Sequence, residues 1–345
     1  MPPPAAPLLE VAGLEIRFPG DPRPYEVVRG ASFAVQRGEI VGLVGESGSG
    51  KSLTALAILG LVPPPGRVTG GRILLDGRNL LELDERAMRA VRGGRIGLVF
   101  QEPMAALNPV LTLETQICEA IRAHRKNGED GSPGARISAR AARARALELL
   151  ELLAIPDPAR RLSDYPHQLS GGQRQRAMLA IALAAGPELL IADEPTTALD
   201  VTLQAQVLEL LERLRRELGL AILLITHDLA VVAESCDRVL VMYAGEIVEA
   251  ATAEQLFAQP AHPYTRALLA SIPVLGHPAP RGELPAIPGQ VPAADRLPEG
   301  CVFAPRCGAR IERCATVRPA WVDLGAGHGA RCLRLPGLLH GEAGG

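Results

Sequence analysis

Lysine is almost missing from this chain: it occurs at positions 51 and 126 only, and the other 34 of the 36 basic residues are arginine. Aromatic residues are scarce as well, with one Trp, four Tyr and five Phe in 345 residues. Charge of one sign is lacking, because 36 basic side chains face 38 acidic ones for a net charge of −2. No global field draws the chain to nucleic acid or acidic lipid, so any such partner must be met by a local surface. No stretch of about 18 apolar residues runs free of charge and proline, and Met1 is followed by Pro2-Pro3-Pro4 rather than by a basic and then apolar leader. The expectation is a chain that neither spans a membrane nor carries a secretory signal. The apolar fraction of 47% against 21% charged residues excludes intrinsic disorder and supplies a large core or two domains. The six cysteines are expected to stay reduced, so a cluster of them requires an explanation other than a disulfide framework.

Residues 8–18, 31–35 and 72–75 read as strands of a small antiparallel layer, the first two joined by the Pro/Gly-rich stretch 19–24. From residue 40 the pattern changes to short apolar runs at 40–44, 96–100, 189–192 and 221–226, separated by helical segments. Runs apolar on both faces predict strands of a covered parallel sheet. Residues 114–153 predict helices, interrupted by a Gly/Pro/Asp-rich loop at 127–134, and form a helical subdomain inserted between two strands. After about residue 260 prolines accumulate and four cysteines appear, which predicts a separate, small, loop-rich C-terminal unit. No internal repeat is visible, and each motif occurs once.

Gly45-Glu46-Ser47-Gly48-Ser49-Gly50-Lys51-Ser52 fits G-x-x-x-x-G-K-[ST] and lies between a predicted strand and a predicted helix, the flanks that the motif requires. Glycines let consecutive backbone N–H groups turn onto phosphate oxygens, and the helix N-terminus adds partial positive charge. Lys51 would reach the β- and γ-phosphates and the Ser52 hydroxyl would hold Mg²⁺. One of the two lysines stands here because a compact ammonium fits the loop better than a guanidinium fork.

Three further strand ends narrow the class. The run 189–192 ends in Asp193-Glu194, an acid for Mg²⁺ beside one able to polarise an attacking water. The run 221–226 ends in His227-Asp228, and 96–100 ends in Gln101. In a parallel sheet all of these emerge at the carboxyl edge, where ligands bind. A satisfied histidine at a sheet edge is the bland reading of His227. Leu169-Ser170-Gly171-Gly172-Gln173 opens a helix and offers a second glycine-dressed helix N-terminus to a phosphate, in a chain with one phosphate loop. A plain N-cap explains Ser170 but leaves the paired glycines and Gln173 without a reason.

GESGSGKS, Gln101, LSGGQ, LLIADE and ITHD stand in the order and context found in ABC-transporter ATPase subunits, and residues 8–258 resemble that family. The resemblance implies an α/β fold: a P-loop ABC-type ATPase with a mostly parallel sheet, an antiparallel β layer, a helical subdomain at about 102–180 and a C-terminal extension, with domains at 1–260 and 261–345. It implies two ATPase domains closing head to tail, with ATP between the phosphate loop of one (Gly45, Ser47, Gly48, Gly50, Lys51, Ser52) and the Ser170, Gly171, Gly172 and Gln173 of the other. It also implies that Gln101 senses Mg²⁺ and couples to membrane subunits, that Asp193 holds Mg²⁺, and that Glu194 is the catalytic base. His227 would contact the γ-phosphate, and Ala198-Leu199-Asp200 would communicate across the dimer. Phe18 would stack on adenine, with Tyr25 as the competing ring.

Residues 101–109 (QEPMAALNP), 165–168 (YPHQ), 262–265 (HPYT) and the tail from Ile287-Pro288-Gly289 through Cys301 to Cys307 resemble the oligopeptide/dipeptide importer ATPases. That branch implies two transmembrane permease subunits, a second ATPase subunit, an extracytoplasmic solute-binding protein, and a place on the cytoplasmic face of the membrane. Cys301, Cys307, Cys314 and Cys332 are spaced too widely for paired C-x₂₋₄-C zinc ligands. The branch implies a structural [4Fe–4S] cluster there, with zinc on three cysteines and His328, or plain buried thiols, as the competitors. Cys118 and Cys236 read as core residues, and Arg136, Arg140, Arg143 and Arg145 as a solvated helix face rather than a nucleic-acid site. The rival function is a soluble ABC-class ATPase acting on nucleic acid; such proteins usually show a long coiled-coil insertion or two ATPase units in one chain, and neither is visible in this sequence.

Overall fold

The structure is a computed structural model, and it describes residues 6–21, 23–100, 106–124, 137–197, 200–272 and 286–335. Its strands are β1 (Leu9–Phe18), β2 (Tyr25–Val35), β3 (Ile40–Val44), β4 (Arg67–Leu75), β5 (Arg78–Asn79), β6 (Ile96–Val99), β7 (Leu189–Asp193), β8 (Ala221–Thr226), β9 (Arg238–Tyr243), β10 (Glu246–Thr252), β11 (Val322–Gly325) and β12 (His328–Ala330). Its helices are α1 (Lys51–Ile58), α2 (Glu85–Val91), α3 (Leu113–His124), α4 (Ala139–Leu152), α5 (Pro158–Arg161), α6 (Gly171–Ala182), α7 (Val201–Leu218), α8 (Leu229–Ser235), α9 (Ala253–Ala258) and α10 (Pro263–Ala270). They fall into two compact units, one drawn from Met1–Val35, Ile40–Leu81 and Ile225–Gly345, the other from Gln36–Glu39 and Glu82–Leu224.

In the first unit an antiparallel layer has the order β2-β1-β4-β5. Leu9, Val11, Leu14 and Ile16 of β1 are all buried, and the skip from 11 to 14 is absorbed by Gly13 at φ +64. An extra residue in one strand is a bulge, and the pairing with β2 shifts there. β2 carries the same device, with Val28 and Ala31 buried on either side of Gly30 at φ +69. This is why strict alternation predicts only 31–35, whereas the strand begins at Tyr25. β4 likewise begins at Arg67, ahead of the predicted residue 72, because Gly70-Gly71 lies inside the strand instead of ending it. A Cβ at Gly71 would fall 2.5 Å from the Gly13 carbonyl oxygen, so the two bulges meet where no side chain fits.

The same unit holds the run β11-β12-β10-β9-β3 of a larger sheet. β3 is buried along its whole length and pairs in parallel with β9, as its unbroken apolar run predicts. β9 and β10 form a hairpin in which Tyr243 pairs with Glu246 across Ala244 and Gly245, at φ 45 and 86. Two central residues at positive φ match the twist of the flanking strands. The tail hairpin joins this sheet through β12, with Glu249 opposite Ala330 and Ala250 opposite Gly329. The proline-rich composition of the segment conceals that pairing.

In the second unit the strands run β8-β7-β6, with β6 and β7 parallel from Ile96↔Leu189 to Val99↔Ala192. α3, α4 and α6 pack on one another through Ile117, Ile121, Ala142, Ala146, Leu149 and Leu150. Ser138 caps α4 by accepting the Ala141 N–H at 3.1 Å. Arg143 is exposed and pairs with Glu114 at 3.2 Å, as a solvated face does, whereas Arg145 is half-buried and pairs with Glu148 at 2.9 Å. The loop at 127–134 lies outside the described residues, and so does Arg136.

Candidate functional site

β3 delivers the chain into the glycine loop and α1 takes it out. Gly45 admits no side chain: a Cβ there would sit 2.1 Å from the Met242 carbonyl oxygen of β9. Gly50 caps α1 from a left-handed backbone (φ 103, ψ 2), and no described side chain caps the helix. A helix N-terminus without a side-chain cap is a place where an anion binds well. Ser47 and Gly48 are exposed at the crest of the loop. Lys51, 5% exposed, donates to the carbonyl oxygens of Gly45 at 2.7 Å and Glu46 at 3.0 Å and to Ser49 Oγ at 3.4 Å. Its ammonium is thus folded under the loop, and Ser52 is exposed beside it.

The Glu46 carboxylate points away from the crest. Arg306 of the tail grips it with both terminal nitrogens, at 2.5 and 3.0 Å, while the Glu46 N–H donates to the Tyr264 hydroxyl at 2.9 Å. Tyr264 is the second residue of α10, whose N-cap is His262: Nδ1 accepts the Tyr264 N–H at 3.0 Å, and Pro263 is the first helical residue. Burial holds the His262 imidazole down to a pKa of about 4. The His-Pro-Tyr-Thr segment therefore works as a cap that fixes a tyrosine under the phosphate loop. His227 follows β8 and is exposed, while Asp228 turns inward to cap α8 through Ala230 N–H at 2.8 Å.

Within the second unit, Asp193 is the last residue of β7 and Glu194 follows at φ +49, a left-handed conformation rare for a residue with a side chain. The Thr197 hydroxyl donates to Glu194 Oε2 at 2.8 Å. Gln101, predicted at the end of β6, lies outside the described residues, as do Ala198 and Leu199, whereas Asp200 caps α7 by accepting the Leu203 N–H at 2.9 Å. Ser170 and Gln173 form a reciprocal capping box on α6: Ser170 Oγ accepts the Gln173 N–H at 3.3 Å and Gln173 Oε1 accepts the Ser170 N–H at 3.0 Å. A Cβ at Gly172 would press on Leu203 at 3.3 Å, whereas nothing lies within 4 Å of one at Gly171. Capping and packing thus give Gln173 and Gly172 local reasons that the sequence reading lacked, and Gly171 is the position they leave over.

Phe18 and Tyr25, cross-strand partners, stack with ring centroids 6.1 Å apart. Phe18 packs where a Cβ on Gly66 would stand 2.4 Å from the ring, and Tyr25 lines a cavity of about 970 Å³ with Arg29, Asp295 and Leu297.

Residues 28–197 match the ABC transporter family, and residues 248–314 match the oligopeptide/dipeptide transporter C-terminal region. The probable peptide ABC transporter ATP-binding protein y4tR of Sinorhizobium fredii is 51% identical over 328 residues, covering 95% of each chain. The chain belongs to the ABC transporter ATP-binding family. The dipeptide transport ATP-binding protein DppD of Escherichia coli is 46% identical over 94% of this chain and 96% of its own. Among solved structures, a dimeric post-hydrolysis state of the cassette MJ0796 bound to ADP and Pi superposes with a TM-score of 0.60 at 29% identity, over 71% of this chain and 98% of that one. The chain is accordingly an ABC ATPase of mixed α/β architecture, and among its described residues no helix is long and apolar enough to cross a membrane.

The tail of this ABC cassette brings its four thiols near one another. Burial, and then the charge that the neighbouring cysteines would carry, push the Cys301 thiol up to about 11, and the same causes raise Cys307 and Cys332. Backbone N–H groups two residues onward, at Phe303, Ala309 and Arg334, donate to these three sulfurs. Such donors favour the thiolate but do not outweigh the burial, which keeps all three thiols raised. Among the described residues no three His, Cys, Asp or Glu side chains gather as for a single ion. His328 instead meets the buried Glu249 carboxylate at 2.9 Å, which also accepts the Ala261 and His262 N–H groups. That bond takes His328 away from the zinc alternative and gives it a fold-holding task on β12. Cys236 and Cys118 are buried, with thiol pKa values raised by burial, as core residues require.

Proposed function

We propose that this chain is the ATP-binding and hydrolysing subunit that powers import of peptides, or a related small solute, through a membrane ABC transporter. The observation that carries the reading is the phosphate loop, whose buried Lys51 and glycine-capped α1 N-terminus suit a polyphosphate, in a chain with peptide-transporter relatives along 95% of its length. Gly45, Ser47, Gly48 and Gly50 shape the cradle, Lys51 neutralises the β- and γ-phosphates, and Phe18, with Tyr25 as the competing ring, would stack on adenine. Ser52 and Asp193, with Gln101, would hold Mg²⁺, which would offset the charge of the phosphates. Glu194, oriented by Thr197, takes a proton from water as general base, and His227 donates toward the γ-phosphate. The Ser170, Gly171, Gly172 and Gln173 turn of a second cassette, whether the same or another chain, would cap the nucleotide, and the open space at Gly171 suits that approach.

The partners that go with this reading are two permease subunits and, on the far side of the membrane, a solute-binding protein; the cassette then sits peripherally on the cytoplasmic face. The domain division is an ABC domain at 1–260 and an extension at 261–345. Cys301, Cys307, Cys314 and Cys332 would hold a [4Fe–4S] cluster, which supplies a structural tie and no redox step. The reading is tested by uptake of labelled dipeptides into cells lacking this gene. Uptake restored by the wild-type chain but not by Glu194→Gln supports it, and uptake restored by both refutes it.

A further inference from the structure

A glutamate in a phosphate loop is a liability, because an unpaired carboxylate beside Lys51 repels the triphosphate and competes for the ammonium. Glu46 is the acid in this loop, and the tail disposes of its charge. Arg306, 8% exposed and 260 positions away, makes a two-pronged pair with the carboxylate, and its remaining donors are placed on the Pro288 carbonyl oxygen at 2.8 Å, the Ile287 carbonyl oxygen at 3.3 Å and the Tyr243 hydroxyl at 3.4 Å. Arg306 lies over the Tyr243 ring at 5.8 Å. Its neighbour in the chain, Phe303, closes an aromatic cluster with Tyr243 and Tyr264 at 5.2 and 5.3 Å, the same Tyr264 that takes the Glu46 N–H. Both the side chain and the backbone of Glu46 are therefore held by residues that the segment 301–307 fixes, and that segment begins and ends with a cysteine.

We infer that Arg306 is a positioning residue of the phosphate loop, which neutralises Glu46 and draws it off the phosphate path, and that through this pair nucleotide binding and the order of the four-cysteine segment are coupled. The inference rests on the phosphate-loop reading and adds the tail to it. Coupling of this kind is reciprocal: what the tail does for nucleotide affinity, nucleotide does for the order of the tail.

The test is ADP·Mg²⁺ affinity of the full-length chain by calorimetry, with the exposed Arg310→Gln as control. Arg306→Gln is expected to weaken binding about tenfold or more, as a hydrogen-bonded charge pair of this kind warrants, and Arg310→Gln to leave it unchanged. Adding Glu46→Gln to Arg306→Gln is expected to recover most of the loss, since the stranded carboxylate is then gone. A mere anchor for the tail predicts no such rescue, so a double variant no tighter than Arg306→Gln overturns the inference, as does wild-type affinity in Arg306→Gln. If Arg306→Gln does not fold, hydrogen exchange of residues 301–307 decides: ADP·Mg²⁺ should slow it in the wild type and several-fold less in Glu46→Gln, and equal protection overturns the inference. Lys51→Ala separates the two levels, because undiminished binding there removes the phosphate-loop reading itself.

Discussion

The Thr197 hydroxyl donates to Glu194 Oε2 at 2.8 Å, and Glu194 is held at φ +49. A left-handed backbone and a hydrogen bond together orient the carboxylate at the end of the strand. Glu194→Gln is expected to keep nucleotide affinity and to lower turnover by about 10²–10⁴, the range for loss of a general base. Thr197→Val removes only the orienting bond, so turnover should fall about tenfold at unchanged KM for ATP. Steady-state ATPase kinetics check both, and a Thr197→Val variant with raised KM and normal kcat would mean that the hydroxyl serves binding instead.

Lys51 is buried under the loop with hydrogen bonds to two carbonyl oxygens and a hydroxyl. Lys51→Ala should abolish tight ATP binding, and Lys51→Arg should not rescue it, because a planar fork does not fit a site shaped for a point charge. Equilibrium titration with a fluorescent ATP analogue reads the difference.

Gly45→Ala places a methyl group 2.1 Å from the Met242 carbonyl oxygen, a backbone atom that cannot swing aside. Overpacking of this kind costs about 1–3 kcal/mol and shifts β3 against β9. Thermal unfolding should show a lowered Tm together with weaker nucleotide binding, whereas Gly171→Ala, which meets open space, should leave Tm near that of the wild type.

His262 is buried and neutral, its pKa lowered to about 4 by burial, against about 6.5 in an unfolded chain. Between these values the unfolded state binds the extra proton, so stability is complete above pH 6.5 and is lost as pH falls toward 4. The loss amounts to at most about 2 kcal/mol from pH 6.5 to 5. Glu249 adds to the same trend at lower pH, because hydrogen bonds from His328 and the backbone outweigh its desolvation and hold its carboxyl below the usual range. Denaturant melts at pH 7 and pH 5 measure the slope, and His262→Asn, which keeps a cap without a titrating ring, should flatten it.

For the tail, protein purified without oxygen should contain about four iron and four sulfide per chain, and Cys314→Ser should lower both together with Tm. Stoichiometric zinc without sulfide would refute the cluster.

Much of this was legible in the sequence because the chemistry there is local. The phosphate loop needs glycines at fixed offsets between a strand and a helix, and β3, the loop and α1 follow that order. The apolar runs at 189–192 and 221–226 became β7 and β8 because strands covered on both faces leave no polar positions to blur the pattern. Where backbone geometry departs from period two, reading failed: Gly30 and Gly71 put bulges into β2 and β4, and the alternation broke there while the strands continued.

The sequence alone determined the class of chemistry, since phosphate binding depends on residue types within an eight-residue window, and it also marked the carboxylates and the cysteines as groups. The tertiary structure alone decided what those groups answer to: that Glu46 is bound by an arginine 260 positions away, that Gln173 caps its own helix, and that His328 serves Glu249 rather than a metal. The reason is physical. Partners in a buried charge pair are chosen by distance in space after the chain has packed, and no local pattern of apolar and polar residues records which distant side chain will arrive.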